Sequence, residues 1–144
     1  MSPKKSNVND DELTIEDEYI GRKYRVVHCV GAKASLKQAL ISLTKSRRRS
    51  MQDRLAAFFK RFADRERLSR DSFPPEGDLP TSSGGVSNGK FYAFKKIPLR
   101  AYGWHSKSKP DVFYISHYIY KDFDDLSAAD IDRVGKNWKA LEER

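Results

Sequence analysis

Leu99-Arg100-Ala101-Tyr102-Gly103-Trp104-His105, the turn Ser106-Lys107-Ser108-Lys109-Pro110, and Val112-Phe113-Tyr114-Ile115-Ser116-His117-Tyr118-Ile119-Tyr120-Lys121 form the stretch on which the fold turns. Two runs rich in aromatic and β-branched residues, separated by a polar turn, predict a β-hairpin. Strand alternation sorts their side chains onto two faces. On the first strand Ile97, Leu99 and Ala101 share one face, and Arg100, Tyr102 and Trp104 share the other. On the second, Phe113, Ile115 and Ile119 share a face with His117 and Lys121, while Tyr114, Ser116, Tyr118 and Tyr120 point the opposite way. One sheet face is thus aliphatic and the other aromatic and cationic. An open face of the second kind suits single-stranded nucleic acid, because bases stack on rings while cations hold phosphates. Tyrosines that serve only as strand formers give the same pattern.

Working outward, Phe91-Tyr92-Ala93-Phe94-Lys95-Lys96 reads as a strand before the hairpin, and Tyr24-Arg25-Val26-Val27-His28-Cys29-Val30, stopped by Gly31, as a first core strand. Between them Leu36, Ala39, Leu40 and Leu43, then Met51, Leu55, Phe58, Phe59 and Phe62, recur at helical spacing. These are two helices or one bent helix, with a restart at Ser50, where Asp53 completes a capping signal. Residues 71–89 hold three prolines and four glycines, so no regular element fits there. After the hairpin, Ser127 with Asp130 caps a last helix whose apolar stripe is Ile131, Val134, Trp138 and Leu141. The expected fold is α+β: a small antiparallel β-sheet with two N-terminal helices on one face and a C-terminal helix.

A chain of 144 residues with 38% hydrophobic content, eight Phe, seven Tyr and two Trp supports one modest core. Residues 19–144 are expected to form a single domain behind a flexible acidic arm, 1–18. The single Cys29 forms no intramolecular disulfide, and Met1-Ser2-Pro3-Lys4-Lys5 lacks the apolar run of a signal peptide, so the expected location is the cytoplasm. No run reaches the length of a membrane span. The net charge of +8 is uneven: residues 10–18 carry six acids and no base, residues 45–70 ten bases and three acids, and residues 90–121 seven bases and one acid. Such basic blocks attract polyanions and give salt-sensitive affinity for phosphates.

Leu99-Arg100, the strand from Phe113 to Lys121 and the helix Ala128-Ala129-Asp130-Ile131-Asp132-Arg133-Val134 resemble the RelE/HigB superfamily of bacterial toxins from toxin–antitoxin pairs. They are similar to that family's Leu-Arg strand, its hydrophobic strand ending in basic residues, and its closing amphipathic helix. The helical pair between Leu36 and Phe62 agrees with the same RelE-like fold. The likeness runs from Tyr24 to Leu141. Where the family has a second lysine this chain has Asp122, and the loop 71–89 is longer than usual.

The resemblance implies a ribosome-dependent endoribonuclease that cuts messenger RNA without a metal or other cofactor and is neutralised by a cognate antitoxin protein. That reaction needs a base for the 2′-hydroxyl proton, cations for the charged phosphorane and an acid for the leaving oxygen. His117 is a candidate base, Arg100 and Lys121 candidate phosphate ligands, and Tyr118 and Tyr120 candidate RNA-orienting or proton-donating groups. Arg47, Arg48, Arg49, Lys60 and Arg61 on the helices, and Lys95, Lys96, Tyr102, Trp104, Lys107 and Lys109 on the sheet, are candidate RNA contacts. Each has a plain alternative: Arg100 pairs with an acid, His117 is a hydrogen-bonded histidine at the core edge, and the arginine cluster is a solvated helix junction. His28, His105, His117 and Cys29 lack metal-ligand spacing, and Gly84-Gly85 lacks the lysine of a phosphate-binding loop. The alternatives for function are a ParE-like toxin acting on gyrase and a non-catalytic RNA-binding or regulatory module.

Overall fold

The computed structural model of the chain describes residues 7–96, 98–121 and 126–143. The readings of residues 1–6, of Ile97 and of Asp122 lie outside the described residues. Along the chain come a short 3-10 turn Asp10–Glu12, strands β1 (Glu18–Ile20) and β2 (Arg25–His28), helices α1 (Ala32–Leu40) and α2 (Lys45–Ala63), strands β3 (Pro75–Asp78), β4 (Lys90–Lys96), β5 (Leu99–His105) and β6 (Val112–Tyr120), and helix α3 (Ala128–Glu142). The strands form one six-stranded sheet in the order β1-β2-β6-β5-β4-β3. The architecture is α+β, as the sequence predicts, but the sheet is mixed. β2 runs parallel to β6, with Val26 opposite Phe113 and Val27 opposite Tyr114, while the other pairs are antiparallel. Residue pattern sets which side chains share a face and leaves strand direction open, which is why the parallel pair was not expected.

Helices cover both faces. Leu36, Leu40, Met51, Leu55, Phe59 and Phe62 of α1 and α2 pack on Val26, Phe94, Leu99, Ala101, Phe113 and Ile115. Phe59, Phe62, Phe94 and Phe113 meet edge to face there, with centroids 4.9–5.5 Å apart, a geometry worth about 1 kcal/mol per pair beyond area burial. On the other face Val134 and Trp138 of α3 pack on Cys29, Leu79, Phe91, Tyr102, Trp104 and Tyr114. The aromatic face is therefore closed, where the hairpin pattern had allowed an open one.

Three local readings change. α2 begins at Lys45 after Thr44 rather than at Ser50, and the break from α1 is the short turn 41–44. The loop 71–89 contains β3, with Pro75 at its first residue on the sheet edge, where a missing N–H costs no ladder bond. From Asn7 onward the acidic arm is a packed strap. Val8 and Ile15 are buried in the core, Gln52 Nε2 donates to the Glu12 carbonyl and its Oε1 accepts from Thr14 and Ile15 N–H, and Glu12 pairs with Arg48 at 2.9 Å. Apolar Val8 and Ile15 at spacing seven were the signal inside the acidic run.

Candidate functional site

A β-bulge decides the site. Tyr102 pairs with His117 but Gly103 pairs with Ile115, so Ser116 is the extra residue of β6. A bulge turns the following side chains to the other face. His117 therefore leaves Ile115, points toward α3, and lies 5.2 Å ring to ring from Tyr102. Tyr118 turns toward α1 and α2. Both reverse the face assignment read from strict alternation. Gly103 permits the close approach, since a Cβ there would lie 2.3 Å from the Tyr114 carbonyl oxygen and 2.4 Å from the Phe113 ring.

Beneath the first turns of α3 the bulge gathers a polar cluster. His117 Nε2 lies 2.9 Å from Asp130 Oδ1, and His117 Nδ1 lies 2.8 Å from Ser116 Oγ. Asp130 Oδ2 accepts from Ser127 Oγ, while Ser127 caps α3 by accepting from the Asp130 N–H. Asn137 donates to both the Oγ and the carbonyl of Ser116. Arg100 joins from the neighbouring strand, its Nη1 3.4 Å from Glu76 Oε1 on β3. Burial pushes the Asp130 carboxyl up, but bonds from His117 and Ser127 and the charges of His117 and Lys121 outweigh it and hold it below the usual carboxylate range. Burial pushes the Tyr102 phenol up to about 12, against the lowering influence of the nearby Arg100 guanidinium.

Of the predicted catalytic residues, His117 bonds Asp130 and the Lys121 charge acts on it, Arg100 pairs with Glu76, and Tyr118 and Tyr120 lie apart from Asp130. Tyr118 is buried on the opposite face, stacked on His28 with its hydroxyl 2.6 Å from His28 Nε2. Tyr120 is exposed and, with Ser35, Gln38 and Arg133, lines a shallow cavity of about 420 Å³ between α1 and α3. Asp130, Glu76, Ser116 and Asn137 complete the cluster and were not singled out in sequence, although Asp130 was legible as the capping acid. Ser116, His117 and Asp130 follow the hydrogen-bond order of a nucleophile relay, yet Ser116 and His117 are fully buried, which leaves a substrate no access in this conformation.

The predicted RNA contacts divide in the same way. Tyr102 and Trp104 are buried under α3, with Trp104 Nε1 donating to Glu142 at 2.7 Å. Arg48 is 1% exposed and holds the Leu40 carbonyl and Glu12, so it is a structural ion-pair partner rather than an RNA grip. Arg47, Arg49, Lys60, Arg61, Lys107 and Lys109 are exposed, and Lys95 and Lys96 half-buried. Arg49 pairs with Asp53 and Arg61 with Glu66 at the surface, and Lys107 lies 5.8 Å from the Trp138 ring.

No family model matches the chain, no curated protein is similar to it in sequence, and no solved structure is similar to it in fold. Among the described residues no helix is long and apolar enough to cross a membrane, and no group of three His, Cys, Asp or Glu side chains is arranged for a metal ion.

Proposed function

We propose that this chain is an RNA-cleaving toxin of the RelE/HigB kind, ribosome-dependent and held in check by an antitoxin protein. The observation that carries the reading is the pairing of the buried His117 with Asp130, with the Lys121 charge acting on Asp130 and with Arg100, paired to Glu76, next to Tyr102 on the adjacent strand. In the cleavage step His117, released from Asp130, takes the 2′-hydroxyl proton as the 2′-oxygen bonds to phosphorus, the bond from phosphorus to the 5′-oxygen breaks with Tyr102 protonating that oxygen, and Arg100 and Lys121 stabilise the phosphorane charge. A guanidinium suits this because its fork meets two phosphate oxygens at once. Tyr102, beside both Arg100 and His117, replaces Tyr118 as the neighbouring phenol. The first turn of α3 must move away before RNA reaches these groups, so the described conformation is the closed one.

A second reading, a non-catalytic RNA-binding module, is favoured by the full burial and full hydrogen bonding of the His117 ring. Inducible expression in bacteria separates the two, following growth and messenger RNA 5′ ends for the wild type and for Arg100→Lys, with thermal melting of each purified protein. Growth arrest with in-frame cuts that fall at least 100-fold in a well-folded Arg100→Lys variant is the expected result. Arrest with intact messages and DNA damage signalling turns the reading to gyrase. No arrest, with RNA still bound in vitro, leaves the binding module.

A further inference from the structure

A cleft of about 410 Å³ opens on the α2 side of the sheet, at the end opposite Arg100 and Lys121, lined by Tyr24, Phe62, Arg65, Glu66, Arg67, Leu68 and Phe73. Its walls are paired rings: Tyr24 stacks on Phe62 at 5.0 Å, and Phe73 stacks on Tyr92 at 4.9 Å with planes 11° apart. The His105 ring lies beside these walls, 5.7 Å from Tyr24 and 5.9 Å from Tyr92. Burial lowers the His105 pKa, so at neutral pH the ring offers one donor and one acceptor nitrogen.

Two arginines stand at the mouth. Among the described residues neither the Arg65 nor the Arg67 side chain makes an ion pair, whereas Arg61 beside them holds Glu66 and the Arg67 carbonyl. Arg65 is also the only non-glycine described with a positive φ, at 65°. It is the first residue past the C-cap, Asp64: its N–H donates to the Phe62 carbonyl, and the Glu66 N–H donates to the Arg61 carbonyl. This paired closure of a helix end is normally made by glycine. An arginine held in a left-handed conformation, with no ion-pair partner, next to an aromatic cleft marks a position kept for its cation.

We infer that this cleft binds one nucleotide of single-stranded RNA, its base stacked against Tyr24 and its phosphate on Arg65 and Arg67. Rings supply sequence-tolerant stacking and arginines supply phosphate contacts, the two ingredients of single-strand recognition. The inference rests on the RNA reading of the protein and adds a second contact at the other end of β5 and on the opposite face of the sheet from Arg100. The cleft is open in the described conformation and needs no movement of α3.

The experiment is fluorescence titration of the full chain with a short single-stranded RNA carrying 2-aminopurine, for wild type, Arg65→Gly, Arg67→Ala, Tyr24→Leu and the charge reversal Lys136→Glu on the exposed side of α3, each at several salt concentrations. Wild type is expected to quench the probe. Tyr24→Leu is expected to abolish the quench and weaken binding about tenfold. Arg65→Gly and Arg67→Ala are each expected to weaken binding several-fold and to reduce the salt slope by about one. Lys136→Glu should leave the quench intact. Binding by the wild type that none of the three cleft variants changes overturns the cleft and leaves the RNA reading standing. Failure of the wild type to bind RNA at all overturns both.

Discussion

At the scale of single residues, the informative positions are those whose chemistry disagrees with their setting. Arg65 sits where glycine costs least, because an L side chain in the left-handed region crowds the following carbonyl by about 1 kcal/mol. Arg65→Gly is therefore expected to stabilise the protein by about 1 kcal/mol in urea unfolding while weakening RNA binding. A destabilised variant would show that the Arg65 side chain contributes packing that outweighs its strain. Arg48 shows the opposite case: charged in sequence and counted among surface cations, it is buried against Glu12 and the end of α1. Nothing in Arg47-Arg48-Arg49 itself tells which of the three turns inward. The answer lies in Glu12, thirty-six residues away, whose docking is decided by Val8 and Ile15.

At the scale of elements, α3 is the piece on which both the closed cluster and the buried aromatic face depend. Its C-terminal end is fastened by one carboxylate: Glu142 accepts from Trp104 Nε1, Ser106 Oγ, and both the N–H and Oγ of Ser108. These bonds hold the Glu142 carboxyl below its usual range although burial pushes the other way. Removing the acceptor strands the buried Trp104 N–H and loosens the β5–β6 turn. Glu142→Ala is expected to cost about 2 kcal/mol and to raise hydrogen exchange selectively along α3 and at 105–108. Uniform exchange across the sheet would instead mean that α3 opens only with global unfolding. Much of this layer was legible beforehand, since Val134 and Trp138 marked the apolar stripe and Ser127 and Asp130 the cap. The hairpin itself was legible from the two strand runs and the Lys107/Lys109 turn. The bulge was not, because period-two alternation carries no mark for one inserted residue, and Ser116 satisfies either reading locally. That single unreadable residue exchanged His117 and Tyr118 between faces, which is why His117 meets Asp130 under α3 while Tyr118 faces α1 and α2. The aromatic-cationic cleft was missed for another reason: Tyr24, Arg65, Phe73, Tyr92 and His105 come from five separate segments and meet only in the folded sheet.

For the whole molecule, two histidines tie folding to pH. His28 lies between β2 and α2, its Nδ1 3.0 Å from the Asp17 carbonyl and its Nε2 2.6 Å from the Tyr118 hydroxyl. A carbonyl can only accept, so Nδ1 carries the proton and Nε2 accepts from Tyr118, the neutral tautomer. Burial, reinforced by Lys33, lowers its pKa despite the bond to Asp17, and burial lowers His105 as well. The unfolded chain therefore binds more protons than the folded one from about pH 6.5 down to the folded values, and across that window stability falls as pH falls. His28 contributes a slope of at most about 1.4 kcal/mol per pH unit, and His105, open to solvent on one side, contributes less. The net charge of +8, which grows as these and other groups protonate, adds self-repulsion of the same sign. Urea unfolding from pH 7.5 to 5 is expected to show falling stability below about pH 6.5, and His28→Gln, which keeps a donor and an acceptor without titrating, should flatten most of that slope. A slope unchanged in His28→Gln would move its origin to His105 and to the overall charge, and would mean that the His28–Tyr118 bond holds equally well with the ring protonated.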